Sequence, residues 1–313
     1  MSPAVVALGA HVLDILARPV THIPEGQGAA LLEQVRFAPA GTAGGTAAGL
    51  AKLGLQTFAV GAVGDDASGD LMVRMLAGHG VDTTYLARKQ GIETSTSILP
   101  IRPNGERPAL HLPGANLSFT IDDVPWNAIE SAAYVHMGGN DVMRGLGRDG
   151  AATILRRAKE SGATTTMDLL GEGSPRMLAI IEPALAFVDW FMPNAEQACR
   201  LTEASNAEEA AAALLRRGPK GIVLKMGERG SLLMTPQEKI VLPAHDVPVV
   251  DTSGCGDAYC AGFIRGLSMG WKSVECMRLG NAAAALVAQG LGSDAGIVDL
   301  DSALRFMNET PLR

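Results

Sequence analysis

The stretch that decides the fold is Val249-Val-Asp-Thr-Ser-Gly-Cys-Gly-Asp-Ala-Tyr-Cys-Ala-Gly-Phe263. Its apolar start predicts a strand, Val247–Val250, ending at Asp251. A loop of small residues follows, Thr252–Gly256, and Asp257 then opens an amphipathic helix predicted over Asp257–Ser268. Gly254 and Gly256 allow successive backbone N–H groups to point at one spot, and the helix N-terminus adds partial positive charge there. That is an anion hole made of Gly254, Cys255 and Gly256. A carboxylate beside it has an electrostatic cost, unless its task is to take a proton from an attacking hydroxyl. The bland reading of the same residues is a strand–turn–helix junction with Asp257 as a plain N-cap. Local physics weighs the two equally.

Outward from this segment, strands and helices alternate. Strands are predicted over Val5–Leu8, Thr57–Val60, Ala133–Met137, Thr164–Met167, Val188–Met192 and Gly221–Lys225. Helices are predicted over Gly45–Leu53, Leu71–Ala77, Asp149–Ser161, Pro175–Ala184, Ala195–Leu201, Ala207–Arg216, Lys272–Gln289 and Asp301–Asn308. Alternation of this kind means a mostly parallel sheet covered by helices on both faces. Ligands in such sheets bind beyond the carboxyl ends of the strands. Tyr85 to Leu112 breaks the pattern. Two extended segments, Thr94–Arg102 and Arg107–Leu112, flank Asn104-Gly105, a strong hairpin signal because both central residues need positive φ. Ser231–Thr235 and Lys239–Leu242 predict a second hairpin.

Composition narrows the function. The 313 residues carry 26 Lys plus Arg against 33 Asp plus Glu, a net charge of −7, which argues against a general nucleic-acid binder. Aromatics make up only 4 %, too few for a base-stacking platform. Gly reaches 37 of 313 residues, about 12 % against a usual ~7 %, in short clusters where backbone turns or meets a ligand. Four cysteines, Cys199, Cys255, Cys260 and Cys276, form no C-x-x-C pair, so a reduced, cytoplasmic setting is expected. No apolar run of ~18 residues predicts a membrane span, and the N-terminus lacks the basic region of a secretory signal. There is no G-x-x-x-x-G-K-(S/T), no G-x-G-x-x-G after the first strand, no G-x-S-x-G and no H-E-x-x-H.

Several smaller features are each weighed against a plain structural role. His136-Met-Gly138-Gly-Asn140 follows a strand and is a candidate lining of an acceptor pocket, or a loop with a satisfied core histidine. Asp168 ends a strand, where a sugar or metal contact competes with a turn role. Lys225 also ends a strand and faces either nucleotide phosphates or solvent. Arg107 reaches a phosphate across a closing lid, or is an exposed hairpin cation. His11 is a weaker pocket candidate. A helix N-terminus lowers a thiol's pKa, which makes Cys255 a candidate redox-sensitive group, against the simple need for a small residue.

The segment Asp251–Phe263 resembles the C-terminal signature of the PfkB (ribokinase-like) carbohydrate kinases, D-T-x-G-(A/C)-G-D followed by small and aromatic residues. The resemblance covers nearly the whole chain. Gly9 with Asp14 is similar to the family's first-strand motif, GTAGGTAAGLAKLG at 41–54 to its glycine signature, and VGAVGDDASG at 60–69 to VGxVGxDxxG. MPNAEQ at 192–197, VLKMGERGSL at 223–232 and Gly280-Asn281 with the alanines after it resemble its nucleotide side. Three departures stand out: Gly45 occupies the position of the usual Asn, Val12 replaces another Asn, and Gln197 replaces the last Glu of PN-x-x-E. They argue against ribose more than against phosphoryl transfer.

The resemblance implies a fold and a reaction. The fold would be α/β, a Rossmann-type three-layer sandwich over residues 1–12, 41–83 and 116–313, with a small β lid from 13–40 and 84–115. The reaction would move the ATP γ-phosphoryl group to a hydroxyl of a small sugar or sugar acid. Asp257 would be the general base. Asp14, Gly41, Gly45, His136, Gly138 and Asp168 would face the acceptor. Asn194, Lys225, Gly227, Gly230 and Asn281 would face the nucleotide. Mg²⁺ would bridge the phosphates near Glu196, and Asp251 with Thr252 would border a monovalent-cation site, K⁺ being the candidate. A homodimer through the lid would cover its strand edges. A nucleoside kinase on the same scaffold and a catalytically silent binding protein are the alternatives.

Overall fold

The computed structural model describes residues 4–103 and 106–313. In chain order the elements are β1 (Ala4–Gly9), β2 (Val12–Arg18), β3 (Gln34–Ala40), α1 (Thr42–Lys52), β4 (Gln56–Gly64), α2 (Ala67–Gly78) and β5 (Asp82–Lys89). Next come β6 (Thr96–Pro100), β7 (Leu110–Leu112), α3 (Trp126–Ser131), β8 (Tyr134–Gly138), α4 (Gly150–Glu160), β9 (Thr164–Asp168) and α5 (Pro175–Leu185). The chain continues through β10 (Trp190–Phe191), α6 (Ala195–Thr202), α7 (Ala207–Leu215), β11 (Gly221–Lys225), β12 (Ser231–Met234) and β13 (Lys239–Leu242). It ends with α8 (Cys255–Ser268), α9 (Ser273–Ala288) and α10 (Leu300–Glu309).

The large sheet has the order β13-β12-β11-β10-β9-β8-β1-β4-β5, parallel except for β12, which runs antiparallel to both β11 and β13. β1 lies deep within it and is apolar on both faces, as a strand covered on both sides must be. Val5 and Ala7 pack with residues of α1, α2, α8, α9 and α10, whereas Val6 and Leu8 pack with α3 to α7. All four side chains are fully buried. The result is three layers. The smaller sheet has the order β3-β2-β6-β7. β2 runs parallel to β6 and antiparallel to β3, and β6 pairs β7 antiparallel from Thr96↔Leu112 to Ile98↔Leu110.

The chain leaves the core for this small sheet at Ala10–His11 and returns at Gly41. Asn116 pins the exit: its Oδ1 accepts from the His11 N–H at 3.1 Å, and its Nδ2 donates to the His11 carbonyl at 2.9 Å. Gly41 caps α1 at φ +80°, and a Cβ there would stand 2.4 Å from the Ala10 carbonyl oxygen, so only glycine makes this return.

Four expectations need correction. Val247–Val250 is not a strand. Val249 and Val250 are exposed, and the backbone bonds instead to the end of α9, Val250 N–H donating to the Ala288 carbonyl at 2.8 Å. The segment leads from the edge strand β13 to the end of α9. β10 shrinks to two residues, held between β9 and β11. Tyr85 to Lys89 lies in β5 of the large sheet rather than in the lid, paired with β4. α8 begins at Cys255, two residues before the expected start. The Asn104-Gly105 turn lies outside the described residues; its flanks pair antiparallel as expected, and Arg102 N–H donates to the Glu106 carbonyl at 2.8 Å.

Candidate active site

Gly9, Gly138 and Asp168 stand side by side at the carboxyl ends of β1, β8 and β9. Beyond this edge a cleft of about 1260 Å³ opens between the large sheet and the small one. Its core wall carries Asp168, Lys225 and the turn 252–257; its lid wall carries Asp14, Ser97, Arg107 and His111.

The turn before α8 has the form an anion site needs. Gly254 is the N-cap at φ +73°, and a Cβ there would stand 2.2 Å from the Ser293 Cβ. No side chain caps α8, which leaves its first-turn N–H groups facing the cleft. Asp257 is the third residue of the helix and not its cap, so the bland reading of that residue fails. The Asp251 carboxylate folds the loop beneath. Its Oδ1 accepts from Ser253 N–H at 2.9 Å and Ser253 Oγ at 2.8 Å, and its Oδ2 accepts from Gly292 N–H at 2.9 Å. Asp251 itself does not line the cleft; Thr252 does.

Asp257 is buried, and burial, aided by the charge of Asp168, pushes its carboxyl up to about 8. Lys225 and Arg107 pull the other way. Asp14, across the cleft, is pushed up to about 7, chiefly by burial; a hydrogen bond from Ser97 and the Arg107 charge oppose this. Both carboxyls therefore titrate near neutrality, the range a general base needs.

Arg107 crosses from the lid to the core. Its Nη1 donates to Ser253 Oγ at 3.0 Å, and its Nε lies 3.8 Å from Asp251 Oδ1. It is thus a lid residue bound to the anion turn, not a free hairpin cation. Gly41 and Thr42 line the acceptor end. Gly45 does not. It backs Asp257, and a Cβ there would lie 2.5 Å from Asp257 Oδ2. The place of the usual Asn is used to accommodate the carboxylate.

His136 and Gly138 sit under the site rather than in it. His136 is fully buried, its Nδ1 is 2.9 Å from Thr166 Oγ1, and burial pushes its imidazole down to about 4. Gly138 admits α1: a Cβ there would meet Ala43 N at 2.6 Å. His11 is likewise a core residue, its Nε2 3.2 Å from the Val60 carbonyl and its imidazole pushed down to about 4 by burial. Cys255 loses its redox reading, because burial, with the nearby Asp251 charge, pushes the thiol up to about 12.

At the other end, Asn194, Gly227, Gly230 and Asn281 all line the cleft, with Ala284, Ala285 and Ala288 of α9. Asn194 caps α6 and accepts from Gln197 N–H at 2.8 Å, while Gln197 Oε1 accepts from Asn194 N–H at 2.9 Å. Gln197 Nε2 donates to the carbonyls of Gly171 at 2.7 Å and Leu169 at 3.3 Å. A glutamate would face those two carbonyls without a proton to give, which accounts for the amide in this chain. Glu196 stands exposed at the rim. Ser97, His111 and Arg313 also line the cleft and escaped the sequence reading. Alternation along β6 is the one signal that pointed to Ser97.

Fold and cleft together define an α/β protein whose lidded cleft brings an uncapped helix N-terminus beside a buried carboxyl. A family model described as "pfkB family carbohydrate kinase" matches residues 3–299. The chain belongs to this family and is a carbohydrate kinase. It is similar to the ATP-dependent ribose-1-phosphate kinase of Halopiger xanaduensis, 29 % identical over 299 residues and 95 % of each chain. The 2-dehydro-3-deoxygluconokinase of Bacillus subtilis is 25 % identical over 86 % of each chain. Among solved structures, Arabidopsis thaliana ribokinase complexed with ribose and ATP matches with TM-score 0.83 and 25 % identity, over 98 % of this chain and 99 % of that one. Adenosine kinase from Sinorhizobium meliloti matches with TM-score 0.84 and 26 % identity, over 97 % and 98 %. The ribokinase-like α/β fold expected from the sequence is the fold observed.

Proposed function

We propose that the protein transfers the γ-phosphoryl group of ATP to a hydroxyl of a small sugar or sugar acid, with Asp257 as general base. The observation that carries this reading is Asp257 itself: a buried carboxyl in the uncapped first turn of α8, opposite a second carboxyl, Asp14, on the lid. The acceptor hydroxyl oxygen bonds to the γ-phosphorus, its proton passes to Asp257, and the bond to the β–γ bridging oxygen breaks as ADP leaves with the electron pair. The N–H groups of Gly254, Cys255 and Gly256 stabilise the charge on the transferring group. Asp14 orients the acceptor, and the lid excludes water as a rival acceptor. Among the described residues the lid wall of the cleft offers Asp14, Ser97, Arg107 and His111 but no Phe, Trp or Tyr, which favours a sugar over a nucleoside.

Mg²⁺ fits the site as a partner of the nucleotide. Among the described residues no three His, Cys, Asp or Glu side chains form a metal cage. An ion held mainly by phosphate oxygens would have Glu196, at the rim, as the carboxylate at hand. When bound it would neutralise phosphate charge. A monovalent cation near Asp251 and Thr252 belongs to the same reading. The outer lid face carries an apolar row across all four strands, Phe37, Ile15, Ile98 and Leu110, with Phe37, Ile98 and Leu110 exposed. We assign its cover to a second copy of the chain, lid face against lid face, rather than strand edge to strand edge; sedimentation of the parent and of Ile98→Asp tests this. The four unpaired cysteines suit a reducing cytoplasm.

The test is ATP-to-ADP conversion with Mg²⁺, with and without K⁺, against sugars, sugar acids and nucleosides, with Asp257→Asn as control. Acceptor-dependent turnover that disappears in the variant is expected. Nucleoside-only turnover would overturn the acceptor class, and turnover surviving in Asp257→Asn would overturn the base.

A further inference from the structure

A lysine, half-buried at the end of a strand, lies beneath the turn before α8. Lys225, at the end of β11, places its Nζ 2.5 Å from Asp168 Oδ2, at the end of β9. Cys260 of α8 completes the knot, its Sγ 3.8 Å from Lys225 Nζ and 3.5 Å from Asp168 Oδ2. Asp168 is 1 % exposed and Lys225 13 %, and both line the cleft. A Cβ at Gly256 would lie 3.2 Å from Lys225 Nζ, and the ammonium is close enough to act on the charge of Asp257. The cation therefore stands beside the base and under the first turn of α8, not at the far end of the cleft near Asn281. Burial disfavours its charge, but Asp168 outweighs that and keeps it protonated. Stability does not explain such a pair, because apolar residues of similar volume hold a core as well as a buried ion pair or better. An ammonium has three donors; one serves Asp168 and a second Cys260, which leaves one for the cleft.

We propose that Lys225 is a catalytic residue that binds the γ-phosphoryl group as it transfers, and that Asp168 is the positioning residue that holds its ammonium there. This rests on the kinase reading above. As the acceptor oxygen bonds to phosphorus and its proton goes to Asp257, negative charge grows on the γ-phosphoryl oxygens and on the departing bridge oxygen of ADP. Lys225 meets that charge from the core side, and Arg107 is the nearest cation on the lid side. Asp168, Cys260, Asp257 and His136 are the other ionisable groups facing it.

The experiment needs no acceptor. Binding of ADP and of the non-hydrolysable β,γ-imido analogue of ATP is measured calorimetrically with Mg²⁺ for the parent, Lys225→Met and the charge-free pair Lys225→Met/Asp168→Asn. The double variant leaves no buried unpaired charge, so it controls for folding. Both variants are expected to weaken the imido analogue about tenfold to hundredfold, the worth of one charged hydrogen bond. ADP should change by less than about threefold. Equal weakening of both nucleotides, or parent-like affinity for the analogue in the double variant, would overturn the proposal. A parent that binds neither nucleotide would instead overturn the kinase reading itself.

Discussion

Gly254→Ala probes the turn on which the site is built, and its cost can be worked from the structure. The residue sits at φ +73°, in the left-handed region, which costs an alanine about 1–2 kcal/mol. The added Cβ would stand 2.2 Å from the Ser293 Cβ, where ordinary contact begins at 3.4 Å, so one side must yield by about 1.2 Å. Ser293 is not free to yield, because its Oγ donates to the Pro39 carbonyl at 2.9 Å, tying the 292–294 loop to the lid strand β3. Overpacking of this kind costs about 1–3 kcal/mol. The variant should lose roughly 2–5 kcal/mol in all, a fall in melting temperature of roughly 5 °C or more. Displaced first-turn N–H groups should also cost about 10²–10³ in kcat. Adding Ser293→Gly removes the contact with that Cβ but leaves the Ser293 Cα 2.4 Å from the added methyl and the backbone strain untouched, so the double variant should regain little of the lost stability, and Ser293→Gly alone is destabilising by about 1 kcal/mol. Thermal melting followed by circular dichroism, with turnover on whichever acceptor the panel identifies, reads all four proteins. A Gly254→Ala that melts and turns over like the parent would refute the reasoning, as would a double variant as stable as the parent.

Other consequences are as direct. Since Asp257 titrates near 8 and Asp14 near 7 in the free chain, kcat/KM should rise with pH through 7 to 8; a flat profile from pH 6 to 9 would contradict the assigned base. The folded value of Asp257 lies above the ordinary 3.8, so its stabilising contribution is complete below about pH 4 and is lost as pH rises through about 8. Asp257→Asn should therefore melt above the parent at pH 9, with the gap closing toward pH 4. Arg107→Ala removes a charge that favours ionised Asp257 and Asp14, so the rising limb should move to higher pH; an unmoved limb would show that the lid contact is only structural. Gln197→Glu loses two donated hydrogen bonds and faces the Leu169 and Gly171 carbonyls with charge, a loss of about 1–3 kcal/mol readable by urea denaturation.

Much of the architecture was legible in the sequence because its signals are local and periodic. Apolar runs such as Val5–Leu8 announced strands covered on both faces, and the helical spacing between them announced the layers. The stretch 249–263 located the glycine turn and its carboxyl; local chemistry weighed anion hole and plain junction equally, and the resemblance favoured the first. Where two strands end and what meets beyond them is not a local property. Val247–Val250 has the composition of a strand, but its end bonds to the last turn of α9, Val250 N–H donating to the Ala288 carbonyl. Tyr85–Lys89 was assigned to the lid on continuity alone; pairing with β4 placed it in the core.

For the site, the sequence by itself determined the residue types: a carboxyl after a glycine turn, a lid carboxyl at Asp14, a strand-end lysine and a strand-end aspartate. Only the tertiary structure decided their company. Lys225 and Asp168 are 57 residues apart, and it is the parallel order β9-β10-β11 that brings their strand ends to one floor. Arg107 meets Ser253 from 146 residues away because the small sheet folds over the cleft. The same packing withdrew His136, Gly138 and Gly45 into supporting positions. Burial and neighbouring charge, which set the titration of Asp257, Asp14 and Cys255, are properties of the space around a group, and no one-dimensional spacing encodes them.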